Sequence, residues 1–242
     1  MANVEVLIHE FGNFYGFKKG LPVLIRGHPL LMASEEFDRL LENSFDSWMI
    51  FGSCNTVLIE SGKRIIVDPG AREVGSWGVL ESRLKELRLT LSDIDIVVNT
   101  HLHGDHAGSN FIFRGKKLIV HEKEVLSIQS KWPEFTEACV KPLEVEGISN
   151  DTQITEDVKV ITTSGHTPGS ISVIADTPEG LVAIVGDAVM SKKDYLQRKV
   201  PEWVEDKEAY LRSINKLREL SPKIIIPGHD LPFSMQKRHK EL

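Results

Sequence analysis

The sequence predicts an α/β protein in which two β-rich halves are each followed by helices. Short runs rich in valine and isoleucine, such as 94–98 and 223–226, are typical of buried strands. Segments with apolar residues three or four positions apart, such as 80–87 and 205–220, are typical of amphipathic helices. Several apolar runs end in histidine or aspartate, which indicates a polar site at one edge of the sheets.

The N-terminal part of the chain carries two strand signals and one helix signal. Residues 4–11 alternate loosely and predict a first strand, and 23–25 predict a second that tolerates Pro22 at its start. Residues 32–50 predict a surface helix, with a lid beside the polar site as the alternative interpretation. Its apolar positions recur every four residues, at Phe37, Leu41 and Phe45.

The rest of the chain alternates strand and helix signals. Strands are predicted at 54–60, 63–67, 94–98, 117–120, 158–161, 171–175, 181–185 and 223–226. The first two form a hairpin around the turn Ser61-Gly62. Helices are predicted at 80–87, 107–113, 122–130 and 205–220. Residues 133–157 contain several breakers and predict an irregular crossing between the two halves.

Composition limits the class of protein. The chain has 242 residues, 41% of them hydrophobic, which suits a single domain over 1–242 with a substantial core. A net charge of −6 argues against broad binding to nucleic acid or membrane surfaces. With two cysteines, no secretory signal and no membrane-length apolar run, a cytoplasmic location is expected. Cys54 and Cys139 are interpreted as buried structural thiols.

The densest polar motif is Thr-His-Leu-His-Gly-Asp-His-Ala-Gly at 100–108, which directly follows a buried-strand signal. Side chains two apart in an extended segment point the same way, so His101 and His103 could chelate one ion. A helix that begins at the next turn would direct Asp105 and His106 towards a second position. Imidazole and carboxylate ligands suit zinc, iron or manganese.

Three more polar groups follow strand signals, so the arrangement occurs four times along the chain. His166 lies in Gly-His-Thr-Pro-Gly, Asp187 follows Gly186, and His229 follows Pro-Gly. We therefore expect seven side chains to meet at one sheet edge: His101, His103, Asp105, His106, His166, Asp187 and His229. Asp68, in Val-Asp-Pro-Gly, either caps a turn or supports a ligating histidine, and both interpretations stay open. His121 is interpreted as a strand-end residue.

These motifs resemble those of the metallo-β-lactamase superfamily over roughly residues 50 to 230. The resemblance implies a four-layer αββα sandwich of two mixed β-sheets with a metal centre at one edge. It implies two divalent ions, with zinc as first choice and iron or manganese as alternatives. His101, His103 and His166 would then bind one ion, Asp105, His106 and His229 the other, and Asp187 both. Asp68 corresponds to an upstream aspartate that supports the ligands.

The chain departs from several branches of that superfamily. Antibiotic-degrading members usually have cysteine where Asp187 stands, and flavodiiron members have glutamate where His103 stands. The inserted domains of RNase Z and β-CASP nucleases and the C-terminal region of glyoxalase II have no counterpart. Quorum-quenching lactonases often have a tyrosine soon after the bridging aspartate, whereas Tyr195 here lies further on. The short, single-domain members are the most similar.

The resemblance implies a binuclear hydrolase in which a metal-bridging hydroxide attacks the carbonyl of an ester, lactone or thioester. Asp105 would also accept or relay a proton. The alternatives are phosphodiester or RNA cleavage at the same centre, oxygenation by a single iron, and a non-catalytic scaffold. A small-molecule substrate is expected, nucleic acid is not favoured, no membrane partner is expected, and a homodimer stays open. The sequence does not identify the substrate.

Overall fold

The computed structural model describes residues 1–8, 13–18, 21–26, 47–51 and 53–234, with only the strand backbone described between 13 and 51. The strands in this part of the chain are β1 (Asn3–Ile8), β2 (Asn13–Lys18), β3 (Leu21–Arg26), β4 (Ser47–Phe51), β5 (Thr56–Glu60), β6 (Arg64–Val67), β7 (Ile96–Val98), β8 (Lys117–His121), β9 (Glu144–Ile148), β10 (Thr152–Gln153), β11 (Val158–Thr162), β12 (Ile171–Thr177), β13 (Gly180–Gly186), β14 (Ile224–Pro227) and β15 (Phe233–Ser234).

Two six-stranded mixed sheets form the centre of the molecule. The first has the order β1-β5-β6-β7-β8-β9, and the second has the order β10-β11-β12-β13-β14-β15. In the first sheet, β6 to β9 are parallel to one another, and in the second, β13 and β14 are parallel. A separate three-stranded sheet has the order β3-β2-β4.

Alternation along the strands decides which side chains lie between the two large sheets. On β6, Ile65 and Val67 point into the space between the sheets, while Ile66 points to the outside. On β13, Val182 and Ile184 likewise point inward and Ala183 outward. Successive strand residues face opposite sides, so each strand contributes to the inner core and to one outer layer. The inner core therefore locks the two sheets face to face.

Helices cover both outer faces. They are α1 (Arg72–Ser76), α2 (Val79–Glu86), α3 (Gly104–Ala107), α4 (Glu122–Lys131), α5 (Pro133–Phe135), α6 (Lys192–Gln197) and α7 (Lys207–Leu220). Leu80 and Leu84 of α2 pack on the first sheet, and Tyr210, Ile214 and Leu217 of α7 pack on the second. The predicted αββα sandwich is confirmed. None of the helices in the described ranges is long and apolar enough to cross a bilayer.

The prediction of a helix over 32–50 is wrong at its C-terminal end. Residues 47–50 belong to β4, which pairs antiparallel with β2, Gly16 lying opposite Trp48. The sequence Trp-Met-Ile at the end of this segment, continued by Phe51, favours strand, because aromatic and β-branched residues fit a pleated sheet. Residues 32–46, and with them the possible lid, lie outside the described residues.

Two further expectations need correction. Residues 133–157 are not irregular, because they contain α5, a π-helical turn at Thr136–Val140, and strands β9 and β10. β9 lies at the sheet edge and is largely exposed, so it lacks the apolar pattern of an inner strand. The helix expected at 107–113 is instead the short helix α3 followed by a 3-10 helix at Asn110–Phe113.

Ile59 tests the inner core, because its side chain is 0% exposed between the two sheets. Ile59→Ala should lower the free energy of unfolding by about 2–5 kcal/mol, through lost burial and the cavity that remains. Chemical denaturation measures this. The control is Leu126→Ala, whose side chain is 68% exposed and which should change stability by no more than about 0.5 kcal/mol. Equal losses in both variants would contradict this description of the core.

Candidate metal centre

Several strands end at the same edge of the sandwich, and five of them, β6, β7, β11, β13 and β14, are followed by the polar segments. β6 and β7 are parallel in the first sheet, and β13 and β14 are parallel in the second. β11 runs in the same direction as β13, because each is antiparallel to β12. Two backbone hydrogen bonds join the sheets there, from Ile171 N to Thr100 O (2.8 Å) and from Asn55 N to Gly228 O (2.9 Å). The segments that follow these five strands therefore meet.

The first donor set consists of His101, His103 and His166 with one oxygen of Asp187. His103 Nδ1 lies 3.0 Å from His101 Nε2 and 3.1 Å from His166 Nε2. His166 Nε2 is in turn 3.3 Å from Asp187 Oδ2. His101, His166 and Asp187 are buried and His103 is exposed, so this set opens to solvent on the side of His103.

The second donor set consists of Asp105, His106 and His229 with the other oxygen of Asp187. His229 Nε2 lies 3.2 Å from Asp105 Oδ2 and 3.4 Å from His106 Nε2. Both imidazole nitrogens are 3.3 Å from Asp187 Oδ1, and His106 Nε2 is 3.6 Å from Asp105 Oδ2. Asp187 thus offers one oxygen to each set. The structure brings together all seven residues that the sequence singled out.

These atoms fit a pair of divalent cations. Ligands arranged tetrahedrally at about 2.0–2.1 Å from a zinc ion lie about 3.3 Å from one another. The distances within each set, from 3.0 to 3.6 Å, are close to that spacing. Asp187 Oδ1 is buried and accepts no well-formed hydrogen bond among the described residues; the imidazole nitrogens of His106 and His229, at 3.3 Å, belong to the same donor set. A buried carboxylate oxygen without a donor is costly, and a cation would supply the missing partner.

Asp68 supports this centre from behind. It is buried, and its Oδ2 accepts hydrogen bonds from Thr100 Oγ1 (2.6 Å) and His106 Nδ1 (2.8 Å). Its Oδ1 accepts from Thr100 N (2.8 Å). A proton on His106 Nδ1 leaves the Nε2 lone pair free to face the second donor set. Of the two interpretations of Asp68, the contacts match the one in which it supports a histidine.

Several residues that support the centre carried no clear sequence signal. Thr100 Oγ1 lies 3.2 Å from His101 Nδ1 and so links that ring to Asp68. Asn55 Nδ2 donates to the carbonyl oxygens of Pro227 and Asp230, both at 2.7 Å, and holds the turn that carries His229.

Two glycines make room at this edge. Gly228 allows the close approach of Asp187, since a Cβ there would lie 2.0 Å from Asp187 Oδ1. Gly186 has φ +48°, and a Cβ would lie 2.2 Å from Thr100 Oγ1. The sequence shows that these glycines directly precede Asp187 and His229. It does not show that only glycine fits at these two positions.

The other residues that the sequence singled out do not belong to either donor set. His121 ends β8 and caps α4, its Nδ1 accepting from Lys123 N, as its interpretation required. Cys54 and Cys139 are buried free thiols, and burial raises the pKa of each to about 11. Tyr195 packs against the Phe233 ring in the outer layer of the second sheet. His9, His28 and His239 lie outside the described residues.

Burial and neighbouring charges shift the pKa values of the donors in different directions. Burial lowers the pKa of His101 well below its usual value, with a contribution from His106, and burial lowers the pKa of His166 to about 4. Burial opposes the charge on His106 as well, but nearby acidic groups, including Asp187 and Asp105, raise its pKa well above normal. Burial alone would raise the pKa of Asp105, whereas imidazoles led by His106 lower it to about 2. In metal-free protein His106 is therefore protonated at neutral pH, and its Nε2 must release a proton before it can bind a cation.

A cavity of about 740 Å³ borders the centre at Asp105. Its wall includes Phe111 and the stacked rings of Trp132 and Phe135, whose centroids are 5.0 Å apart. A Cβ built on Gly104 would lie 3.9 Å from each of the latter two rings, so a side chain there would narrow the cavity. Pockets for small molecules usually have volumes of about 300–1,000 Å³. The cavity is therefore large enough for part of a small ligand.

Comparison with known protein families identifies the superfamily of this chain. The sequence model of the metallo-beta-lactamase superfamily matches residues 49–229. The chain belongs to this superfamily.

Members of the superfamily with known or inferred activities share part of the sequence. A probable metallo-hydrolase of Methanocaldococcus jannaschii, MJ0296, is 33% identical over 166 residues, which cover 69% of this chain and 70% of that protein. An N-acyl homoserine lactonase of Bacillus cereus is 32% identical over 153 residues, or 61% of this chain and 60% of the lactonase. A crystal structure of a quorum-quenching N-acyl homoserine lactone lactonase superposes with a TM-score of 0.66 at 27% identity, covering 78% of this chain and 83% of that one.

These findings confirm the predicted superfamily and fold. The family and its curated relatives also support the predicted enzyme class, a metal-dependent hydrolase. The ligand role of each of the seven residues and the substrate stay predictions.

His166 provides a test of the site's electrostatics in metal-free protein. Its pKa of about 4 in the folded state lies below the value of about 6.5 in an unfolded chain, so the unfolded state binds more protons between these values. Stability should therefore fall as pH falls from about 6.5 to about 4, by about 3 kcal/mol from this group. His166→Gln should flatten that part of the profile, measured by denaturation after chelation.

The control is Leu126→Ala, a change at an exposed position without a titratable group, and it should retain the wild-type slope. A His166→Gln profile as steep as that of the wild type would contradict the burial of an uncharged His166.

Proposed function

We propose that the chain is a binuclear metal-dependent hydrolase that opens lactones and cleaves related carbonyl esters, including thioesters, of small molecules. The observation that carries this proposal is the meeting of two donor sets at the two oxygens of Asp187. The residues that would hold the two ions are His101, His103, Asp105, His106, His166, Asp187 and His229. Nitrogen and carboxylate oxygen donors at this spacing favour zinc, with iron and manganese as alternatives.

Two bound divalent ions would lower the pKa of water and draw electron density from a substrate carbonyl. The protein's part is to fix the donors before substrate arrives. Asp187 sets the separation of the two sets, because its two oxygens belong to one rigid carboxylate. Asp68 fixes the ring of His106 through the 2.8 Å contact at Nδ1. Donors held in this way need little rearrangement during the reaction.

Asp105 is the residue placed to move a proton. Its side chain is 33% exposed, against 4% for Asp187, and it borders the cavity. Its pKa of about 2 keeps it ionised at neutral pH, so it holds an accepted proton weakly and can pass it on. Water adds to the carbonyl carbon, and Asp105 takes the proton that the water loses. When the bond from carbon to the alcohol oxygen or thiol sulfur breaks, Asp105 returns the proton to the departing atom.

The cavity supports a small substrate with an apolar part. A substrate whose carbonyl lies at the donor sets can extend past Asp105 towards Trp132 and Phe135, whose stacked rings would cover an acyl group. The lactonase activity of two relatives fits this substrate class. Tyr195 lies in the outer layer, so a lactone would be oriented here without it.

Metal content tests the assignment of the ligands. Wild-type protein purified without a histidine tag should contain two divalent ions per chain by elemental analysis. His101→Ala removes one donor of the first set and should lower the content towards one ion. Asp187→Ala removes a donor from both sets and should lower it further, with little metal left. His121→Asn, which removes an imidazole elsewhere and keeps a capping side chain, should retain two ions.

Equal metal content in the His101→Ala protein and the wild type would contradict the ligand assignment.

Substrate range tests the proposed reaction. Metal-loaded protein should hydrolyse N-acyl lactones and simple thioesters, followed by acid release, and should leave single-stranded RNA and phosphodiesters intact. Trp132→Ala should lower kcat/KM about 10-fold for long-chain acyl lactones and little for short-chain ones, because only a long chain reaches the ring. Leu126→Ala, a change at an exposed position on α4, is the control.

Cleavage of RNA without turnover of any ester or lactone would replace this proposal with the nuclease alternative.

A further inference from the structure

Glu124 is a buried carboxylate outside the seven residues of the centre. It lies in the first turn of α4, and its side chain is 3% exposed. Within the described ranges, no lysine, arginine or histidine forms an ion pair with it. Its hydrogen-bond donors are instead two backbone N–H groups, those of Leu102 (3.1 Å, to Oε2) and Gly169 (2.9 Å, to Oε1). A buried carboxylate needs such donors, and Glu124 finds both in site loops.

The two donors belong to the loops that carry the first donor set. Leu102 lies between His101 and His103, in the segment after β7 of the first sheet. Gly169 lies three residues after His166, in the segment between β11 and β12 of the second sheet. One side chain therefore joins the two loops that supply all three histidines of that set. The two oxygens of a carboxylate have a fixed separation, so the spacing of the loops is fixed as well.

His166 depends on this link more than the other buried histidines do. The ring of His106 is held by Asp68 at Nδ1, and the ring of His101 contacts Thr100 there. His166 Nδ1 is buried and has no hydrogen-bond partner among the described residues. Because no side chain fixes its ring from behind, its direction follows from the backbone of its loop and from packing.

The close approach of α4 to the loop after His166 depends on a glycine in that loop. A Cβ on Gly169 would lie 2.8 Å from Glu124 Oε1 and 2.9 Å from Glu124 N, so only glycine allows this contact. At the start of the helix, His121 accepts a hydrogen bond from Lys123 N and fixes the turn on which Glu124 stands. Helix, loop and carboxylate form one rigid unit beside the first donor set.

We propose that Glu124 is a positioning residue that sets the affinity of the first metal site. This inference rests on the proposed function, since it needs a cation at His101, His103 and His166. Glu124 touches neither the cation nor the substrate; it acts by holding the two loops. The second donor set is supported elsewhere, by Asp68 and by Asn55, so the two sites should respond differently when Glu124 changes.

The test is Glu124→Gln. The amide keeps the shape of the side chain but offers one acceptor oxygen and turns an NH2 group towards one backbone N–H. Metal-free protein is titrated with cobalt(II), and the two binding steps are assigned with His101→Ala and His229→Ala proteins. The first-site step should weaken about 10- to 100-fold, with a changed visible absorption spectrum, and the second-site step should keep its affinity. Glu122→Gln, on the exposed side of the same helix turn, should match the wild type.

The ratio of the two affinities separates positioning from general stability, because a merely destabilised fold weakens both steps alike. Equal weakening of both steps, or none, would overturn the role of Glu124. Gly169→Ala provides a second variant if Glu124→Gln does not fold, and it should weaken the same step by displacing the loop. A wild-type protein that binds no cobalt would instead overturn the proposed function.

Discussion

Asp187 is the side chain on whose position both donor sets depend. It is a carboxylate buried among imidazoles, and burying a charge costs several kcal/mol unless opposite charge compensates. Its two oxygens can face both sets only if loops from two different sheets come within the width of one carboxyl group. The inner core between the sheets makes this approach possible, and the glycines at 186 and 228 leave the space for it.

Support for the centre is divided between its two halves. The second set is braced by a side chain that hydrogen-bonds to a ligand ring, as Asp68 does to His106. The first set is braced through its backbone, by Glu124. Both arrangements place a carboxylate behind the donors and leave the opposite side, where His103 is exposed and Asp105 is partly exposed, open to solvent. The cavity lined by Phe111, Trp132 and Phe135 borders this open side at Asp105.

The strong local signals in the sequence predicted most of the inner fold and the meeting of the seven side chains at one sheet edge. Strands such as β6 and β7 are short, apolar and bounded by polar residues, and the histidine motif follows directly. β9 was not predicted, because an exposed edge strand has no apolar pattern. The role of Glu124 was not predicted, because its hydrogen-bond partners are backbone N–H groups of residues distant in the chain. The types of side chain in the sequence do not indicate such contacts. The role of Thr100 likewise follows from tertiary contact alone.

The chain order of the donors has a consequence for biosynthesis. The first histidine of the centre is residue 101, but Asp187 and His229 come much later, and β14, which delivers His229, pairs with β13 near the end of the described chain. Chains emerge from the ribosome N-terminus first. The first sheet can therefore form while His101, His103, Asp105 and His106 still lack the donors from the second sheet. A nascent chain can assemble both donor sets only after His229 has been translated and β14 has paired with β13, so the donors of the first sheet stay incomplete until the second sheet forms.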